Sequence, residues 1–311
     1  MPGIASYFPH GFANGVAILG QPVLNVQSNH VWWVDSVNGG DGNSGAFNAP
    51  LATIGRASVL AANNDTVMVK SGHAETISSA TAFTASNSGL IFVGLGVGNK
   101  RPTITLNTGT TTTLNITADG VGFNNIIFVA GIAAIASVFT LTTAKGFTLD
   151  GCTFRKTSTF TFLAIVTTDT TSNDADAMTI VNNDWRDSAT TVSPFVSMLG
   201  TNDNLKFAGN YISLGAQNDV TAGVNVAAGK IVTDFQGIGN LIRKLDTSNT
   251  AGILFGTNGS TNTGILHQNV WVGAVAGTPL FAPATTGLGY GLNYASGVAD
   301  KSGFLLPVAD S

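Results

Sequence analysis

The sequence predicts an all-β fold, a parallel β-helix whose N-terminal end is closed by a short helix. Three observations predict it. First, six segments lead through alternating apolar residues and a small polar residue to a large apolar anchor. The anchors are Phe128, Phe154, Trp185, Ile212, Ile242 and Trp271, spaced 26, 31, 27, 30 and 29 residues apart. Second, a short apolar run follows each anchor after a turn, from "SVFTL" behind Phe128 to "TPLFA" behind Trp271. Runs this short, rich in Val, Ile, Phe and Thr and bounded by Gly, Asn or Asp, are strands. Third, Asn183, Asn210, Asn240 and Asn269 stand just before four of the anchors. A two-strand repeat of this length cannot bury its apolar face alone, and stacking one coil on the next can. A propeller blade needs four strands in roughly 40 to 50 residues, more than these repeats hold.

The elements follow in chain order. Residues 1–29 carry Pro, Gly and isolated aromatics but no repeat, and read as an extended arm in which Tyr7, Phe8 and Phe12 are the candidate docking residues. Residues 30–64 form the N-terminal cap of a β-helix that runs over 30–285. An aromatic strand, "HVWWV", enters the Gly/Asn/Asp loop "DSVNGGDGNSG", and "PLATIGRASVLAAN" then has helical spacing at Ile54, Ala57, Leu60 and Ala61. Such a helix covers the open end that every solenoid must protect. The strand "DTVMVKSGHAETI" begins the stack. In the repeats, the asparagines are expected to form an amide ladder along the coils, and Cys152, at the corresponding position, reads as a small core residue. Residues 286–311 leave the repeat and read as a C-terminal cap or inter-subunit tail.

Composition narrows the function. Charged residues are only 10% of the 311, against about 25% in a typical soluble domain. The 13 basic and 17 acidic residues are scattered, with no basic run to follow a phosphate backbone, so nucleic acid is not an expected partner. One cysteine allows no intrachain disulfide and no zinc spacing, which fits folding in a reducing cytoplasm. The N-terminus lacks a basic n-region and is broken by Pro2, Pro9 and Pro22, unlike a secretory signal. The uncharged stretch "GVGFNNIIFVAGIAAIASVFTLTTA" is interrupted by Asn124 and Asn125 and reads as two buried strands with a turn, so no membrane is expected.

The order "WWVDS…GGDGNSG…NAPLATIGRASVLAANNDTVMVKSGHAETI" resembles the N-terminal signature of right-handed parallel β-helix proteins of the pectin-lyase-like superfamily. Asn64 stands where that pattern usually has Gly. The preceding "YFPHGFANGVAILGQPV", joined to this cap, is similar to the start of virion proteins of tailed bacteriophages. The resemblance implies a right-handed coil, a homotrimer, and a place on the capsid surface of a virion assembled in the host cytoplasm. The implied partners are other copies of the chain and a major capsid or other virion protein. The implied role is a capsid-decoration or head-fibre protein held by its N-terminal arm. The alternative is a tailspike-like protein that binds or cleaves host surface polysaccharide.

Candidate chemistry is sparse. Asp35, Asn38, Asp41 and Asn43 supply oxygens of the kind calcium takes, but their spacing misses the EF-hand pattern and suits a connecting turn better. Asp174, Asp176, Asp184 and Asp187 are the densest acidic group and the candidate glycan groove if the chain is an enzyme, with Asp184 facing Asp203 or Asp219 across coils. The paired-aspartate, "GHG" and "RIK" motifs of glycosidases with this fold do not occur. Arg155, Arg186 and Arg243 recur at nearly the repeat period. His10, His30, His73 and His267 are dispersed, with no metal-binding motif, and "VGLGVGNK" reads as a coil corner because a strand follows it. The expectation is therefore a structural protein with no catalytic residues, no cofactor and no metal.

Overall fold

The computed structural model describes residues 16–18, 21–23, 30–79, 82–107, 113–156, 160–187, 194–215, 222–244, 255–256, 262–273, 287–296 and 303–305. Most of the described strands stack into three long sheets. The first sheet has ten strands, from Val31–Val34 to Gly287–Gly291; the second has ten, from Ala74–Ile77 to Gly303–Leu305; the third has seven, from Thr84–Ala85 to Phe255–Gly256. Within these sheets neighbouring strands pair in parallel, except where Gly303–Leu305 turns back against Asn293–Ser296. This is a parallel β-solenoid, consistent with the right-handed parallel β-helix the sequence leads one to expect.

All six anchors fall in one file of the second sheet: Phe128 pairs with Phe154, Phe154 with Trp185, Trp185 with Ile212, Ile212 with Ile242, and Ile242 with Trp271. All six are buried. Alternate residues on these strands point to opposite sides, so one file of large side chains fills the interior while the next file faces out. The other two walls meet it there. Phe123 of the first sheet, Phe128 of the second and Phe139 of the third lie with ring centroids 6.1, 5.1 and 4.9 Å apart pair by pair. Such contacts contribute about 0.5–1.5 kcal/mol each beyond burial.

The repeat has three strands per coil where the sequence suggests two. Each segment leading to an anchor is two strands separated by a bend, as in Thr148–Asp150 and Thr153–Lys156. The bend turns on one residue with left-handed backbone: Asn125, Gly151, Asn182, Gly209, Gly239, Gln268 and Leu292 all have φ between 50° and 64°. Asn and Gly tolerate this conformation at little cost. The residue after each bend points inward, and that is where the ladder asparagines sit.

The cap helix spans Ile54–Leu60, shorter than the spacing suggests, because Leu51 is drawn into a parallel bridge with Val34 and the helix begins only at its N-cap, Thr53. The Thr53 hydroxyl accepts from the Arg56 N–H at 3.0 Å. Ile54, Ala57 and Ser58 are buried against the first coil. At the other end the stack continues past residue 285, with Gly287–Gly291 in register in the first sheet and Asn293–Ser296 in the second. The glycine-rich "GLGYGLNY" conceals this coil in the sequence, since Ala295 occupies the anchor file beside Trp271. The uncharged stretch between Asp119 and Lys145 holds three strands, Gly122–Asn124, Ile127–Ala130 and Phe139–Leu141. Among the described residues no helix is long and apolar enough to cross a membrane. In the N-terminal segment, Val16–Ile18 and Gln21–Val23 pair as an antiparallel hairpin.

Candidate functional site

The connecting loop 35–45 uses its polar side chains to hold the cap. Asp35 accepts from the Val37 N–H at 2.9 Å, the Asn38 N–H at 3.3 Å and the Asn38 side chain at 3.1 Å, with Lys70 at 3.6 Å. Burial works to raise the Asp35 carboxyl, but these hydrogen bonds and the Lys70 charge outweigh it and hold it below its ordinary value. Asp41 accepts from the Ala52 and Thr53 N–H groups at 2.9 and 3.0 Å and from the Thr53 hydroxyl at 2.9 Å, fixing the start of the cap helix. The Asn43 amide donates to the Pro50 carbonyl at 2.8 Å. Buried His73 joins the same assembly: its Nδ1 accepts from the Ser36 N–H at 3.0 Å and its Nε2 lies 3.2 Å from Glu75, whose carboxylate also accepts from the Ile54 N–H at 2.8 Å. An acceptor Nδ1 places the ring proton on Nε2.

The four clustered aspartates do not converge. Asp174 and Asp176 lie in the turn between third-sheet strand Val166–Thr168 and first-sheet strand Thr179–Val181. Asp176 accepts from the Asp203 N–H at 2.9 Å and lies 3.7 Å from the Lys145 ammonium. Asp184 and Asp187 are on the second-sheet strand Asp184–Asp187, and three residues apart on a strand they face opposite ways. Asp187 points inward, is buried, and accepts from the Thr161 hydroxyl, with Lys156 at 3.9 Å. Asp184 faces out. Asp203 sits in the short sheet formed by Asn202–Asp203 and Val232–Thr233, away from the sheet that carries Asp184. Asp219, Tyr7, Phe8, Phe12 and His10 lie outside the described residues. Among the described residues no group of three or more His, Cys, Asp or Glu side chains is arranged to hold a metal.

The outer face of the second sheet carries a different cluster. Arg155 and Arg186 pair directly in register, Arg186 with Ser213, and Ser213 with Arg243, so three arginines share one outward file. Arg186 is bonded to Asp184 at 2.9 Å and its guanidinium lies 4.9 Å from the centre of the Tyr211 ring, which occupies the next rung beside Asp184. The Asp184 hydrogen bond and charge raise the Arg186 guanidinium further. Arg101 reaches the same face from the corner after the first sheet, donating to the Gly151 carbonyl at 2.9 Å and to the Thr153 hydroxyl. Burial, then the charge of nearby Arg155, holds its guanidinium below the usual arginine value. Arg155 itself donates to the side-chain oxygen of Asn99 at 3.3 Å. The periodicity of Arg155, Arg186 and Arg243 was legible in the sequence; the arrival of Arg101 and Tyr211 was not, because it depends on the register between coils.

Cys152 is buried in the core at the ladder position, where its N–H donates to the Asn183 side chain at 2.9 Å. Burial pushes its thiol up to about 12, so it carries no thiolate at neutral pH.

No protein-family model matches the chain. No curated protein matches it either. Among solved structures, a rhamnogalacturonan lyase is similar with a TM-score of 0.52 at 9% identity, over 86% of this chain and 74% of that one. A pectate lyase matches with a TM-score of 0.48 at 12% identity, over 83% of this chain and 79% of that one. A GH136 lacto-N-biosidase from Eubacterium ramulus matches with a TM-score of 0.33 at 11% identity, over 86% and 68%. At such identities the likeness is one of fold alone.

Proposed function

We propose that the chain is a structural protein of a tailed-bacteriophage virion, a homotrimeric capsid-decoration or head-fibre protein attached through residues 1–29. The observation that carries this reading is how its carboxylates are used. Asp35 and Asp41 hold the cap, Asp176 receives a backbone N–H of the next coil, and Asp187 is buried against Thr161. Each carboxylate stabilises the solenoid, and the pair of free carboxylates at fixed separation that glycoside hydrolysis requires is not formed by the four clustered aspartates. The similarity of "YFPHGFANGVAILGQPV" to virion proteins supports the location.

A second reading, binding or cleavage of host polysaccharide, is favoured by the outward group of Asp184, Arg186 and Tyr211. Incubating purified protein with the host's surface glycan separates the two. The structural reading expects no fall in polymer length; depolymerisation that Asp184→Ala abolishes would replace it with the enzymatic one.

A further inference from the structure

The corner that joins first-sheet strand Ile91–Gly94 to second-sheet strand Thr103–Leu106 takes residues 95–102, where the next coil turns on Asn125 and Ile126 alone. The extra length carries Asn99 and Arg101 over the outer face of the second sheet. Arg101 crosses the coil of Ile127 to bond Gly151 and Thr153, which stand two coils on. Thr153 and Arg155 are successive outward residues of one strand, about 6.6 Å apart along it. Arg155 bonds Asn99, two residues before Arg101, so the two guanidiniums are drawn to the same place. An arginine has five N–H donors. Arg101 uses three, on the Gly98 carbonyl at 3.2 Å, the Gly151 carbonyl at 2.9 Å and the Thr153 hydroxyl, which leaves two. Arg155 uses one, on Asn99 at 3.3 Å, which leaves four. Among the described residues these six have no acceptor, and no carboxylate lies within ion-pair distance of either guanidinium.

Two like charges are thus held together by neutral oxygens. The charges around them cancel: Arg186 is paired with Asp184 on the next rung, while Asp150, around the bend, is turned to the amides of Asn124 and Asn182, and Lys100 is exposed on the corner. Arg101 and Arg155 therefore leave two positive charges and six directed N–H groups without a counterpart. We propose that they bind a phosphate monoester carried on a sugar. Such a group brings a charge of about −2 at neutral pH and three acceptor oxygens, whereas a carboxylate brings half the charge. The planar fork of arginine matches phosphate oxygens in pairs. The Thr153 hydroxyl, which serves Arg101 as acceptor, keeps its own O–H to donate. A peptide is captured at a free strand edge or in an apolar groove. Here the strands are paired on both sides, and the side chains at hand, Asn99 and Ser213, offer the amide and hydroxyl groups that sugars bond. The site is open on the outside of the solenoid, so it grips the exposed end of a larger glycan. The proposal goes beyond the structural reading and is independent of where the chain sits in a particle.

The test is calorimetric titration of the full chain with glucose 6-phosphate at about pH 7.5, where the monoester is a dianion. A dissociation constant of roughly 0.1–1 mM is expected of an open site with two charge-assisted forks. Dimethyl phosphate, a monoanion of the same shape, and glucuronate, a sugar carboxylate, should each bind at least about tenfold more weakly. Arg155→Gln should weaken glucose 6-phosphate by at least about tenfold with an unchanged melting temperature, since that side chain is exposed. Arg101→Gln should weaken it as much; because Arg101 also fastens the corner, a variant that does not fold leaves Arg155→Gln to carry the test. Arg243→Gln, three rungs or about 14 Å along the face, should change binding less than about twofold. Absence of saturable binding by about 10 mM overturns the proposal, as does binding unchanged in folded Arg155→Gln. Glucuronate bound as tightly as glucose 6-phosphate would assign the site to carboxylates, and a phosphoserine pentapeptide bound as tightly would assign it to proteins; either result overturns the proposal too. The titration needs no particle, so its failure is distinct from a failure of attachment through residues 1–29.

Discussion

Asn210 donates its side-chain N–H to the Asn240 oxygen at 3.1 Å, while its own oxygen accepts from the Asn183 side chain at 3.0 Å. Its second N–H goes to the Ile180 carbonyl at 3.0 Å, and its oxygen also takes the Asn183 backbone N–H at 3.0 Å. The same pattern links Asn240 to Asn269 and Asn269 to Asn293. Every donor and acceptor of the inner amides is used inside a dry core, which makes each rung hard to replace. Asn210→Ala leaves polar groups of two neighbouring coils unpaired, at about 1–3 kcal/mol for each buried group. Urea unfolding should show a loss of about 3–5 kcal/mol, against less than about 0.5 kcal/mol for Thr167→Ala on the outer surface.

Trp185 separates packing from polarity. Its ring fills the anchor file and makes an edge contact with Phe195 at 5.8 Å, yet its indole N–H has no hydrogen-bond partner among the described residues. Trp185→Phe therefore gives up volume but also removes an unsatisfied donor, and should cost less than about 1.5 kcal/mol. Trp185→Ala should cost about 3–5 kcal/mol. Comparing the two by thermal unfolding checks the assignment.

Asp174 and Asp187 belong to the same acidic stretch but differ in burial, so their substitutions should diverge. Asp187→Ala removes the acceptor for Thr161 and a charge near Lys156 within the core, and should destabilise by about 1–3 kcal/mol. Asp174→Ala, in a half-exposed turn, should stay within about 0.5 kcal/mol. Equal effects would contradict the placement of Asp187.

The cap should loosen in acid. Asp35 is held below its ordinary value of 3.8, so its contribution to stability is fully present above that pH and is lost as pH falls through its lower folded value. Asp35→Asn should melt earlier than wild type at neutral pH, and the gap should close below pH 3.8. A gap that persists or widens in acid would show that the carboxylate is not the group holding the loop.

The architecture was legible because the anchors recur at one coil's length and because Asn, unlike most residues, marks both a bend and an inward amide. The resemblance at Asn64 also has a physical basis: its φ of 64° matches Gly89, Gly120 and Gly146 on the coils below, and Asn is the side chain that best replaces Gly there. The third strand of each coil was hidden, since strands such as Thr148–Asp150 are three residues long and too short to display a period of two. The acidic cluster misled for a related reason. Nearness along the chain places Asp184 and Asp187 on opposite sides of one strand and Asp174 and Asp176 in another wall's turn. The arginine file could be suspected from its period, but its convergence with Arg101 needed the register.

Attachment of this β-helix to a particle through its N-terminal segment is the claim on which the proposed function rests. The direct measurement is co-sedimentation of purified protein with phage particles that lack it, comparing the full chain with one missing residues 2–28. The full chain should sediment with the particles and the shortened chain, still folded by circular dichroism, should remain in solution. Equal binding by both, or no binding by the full chain, would contradict the claim.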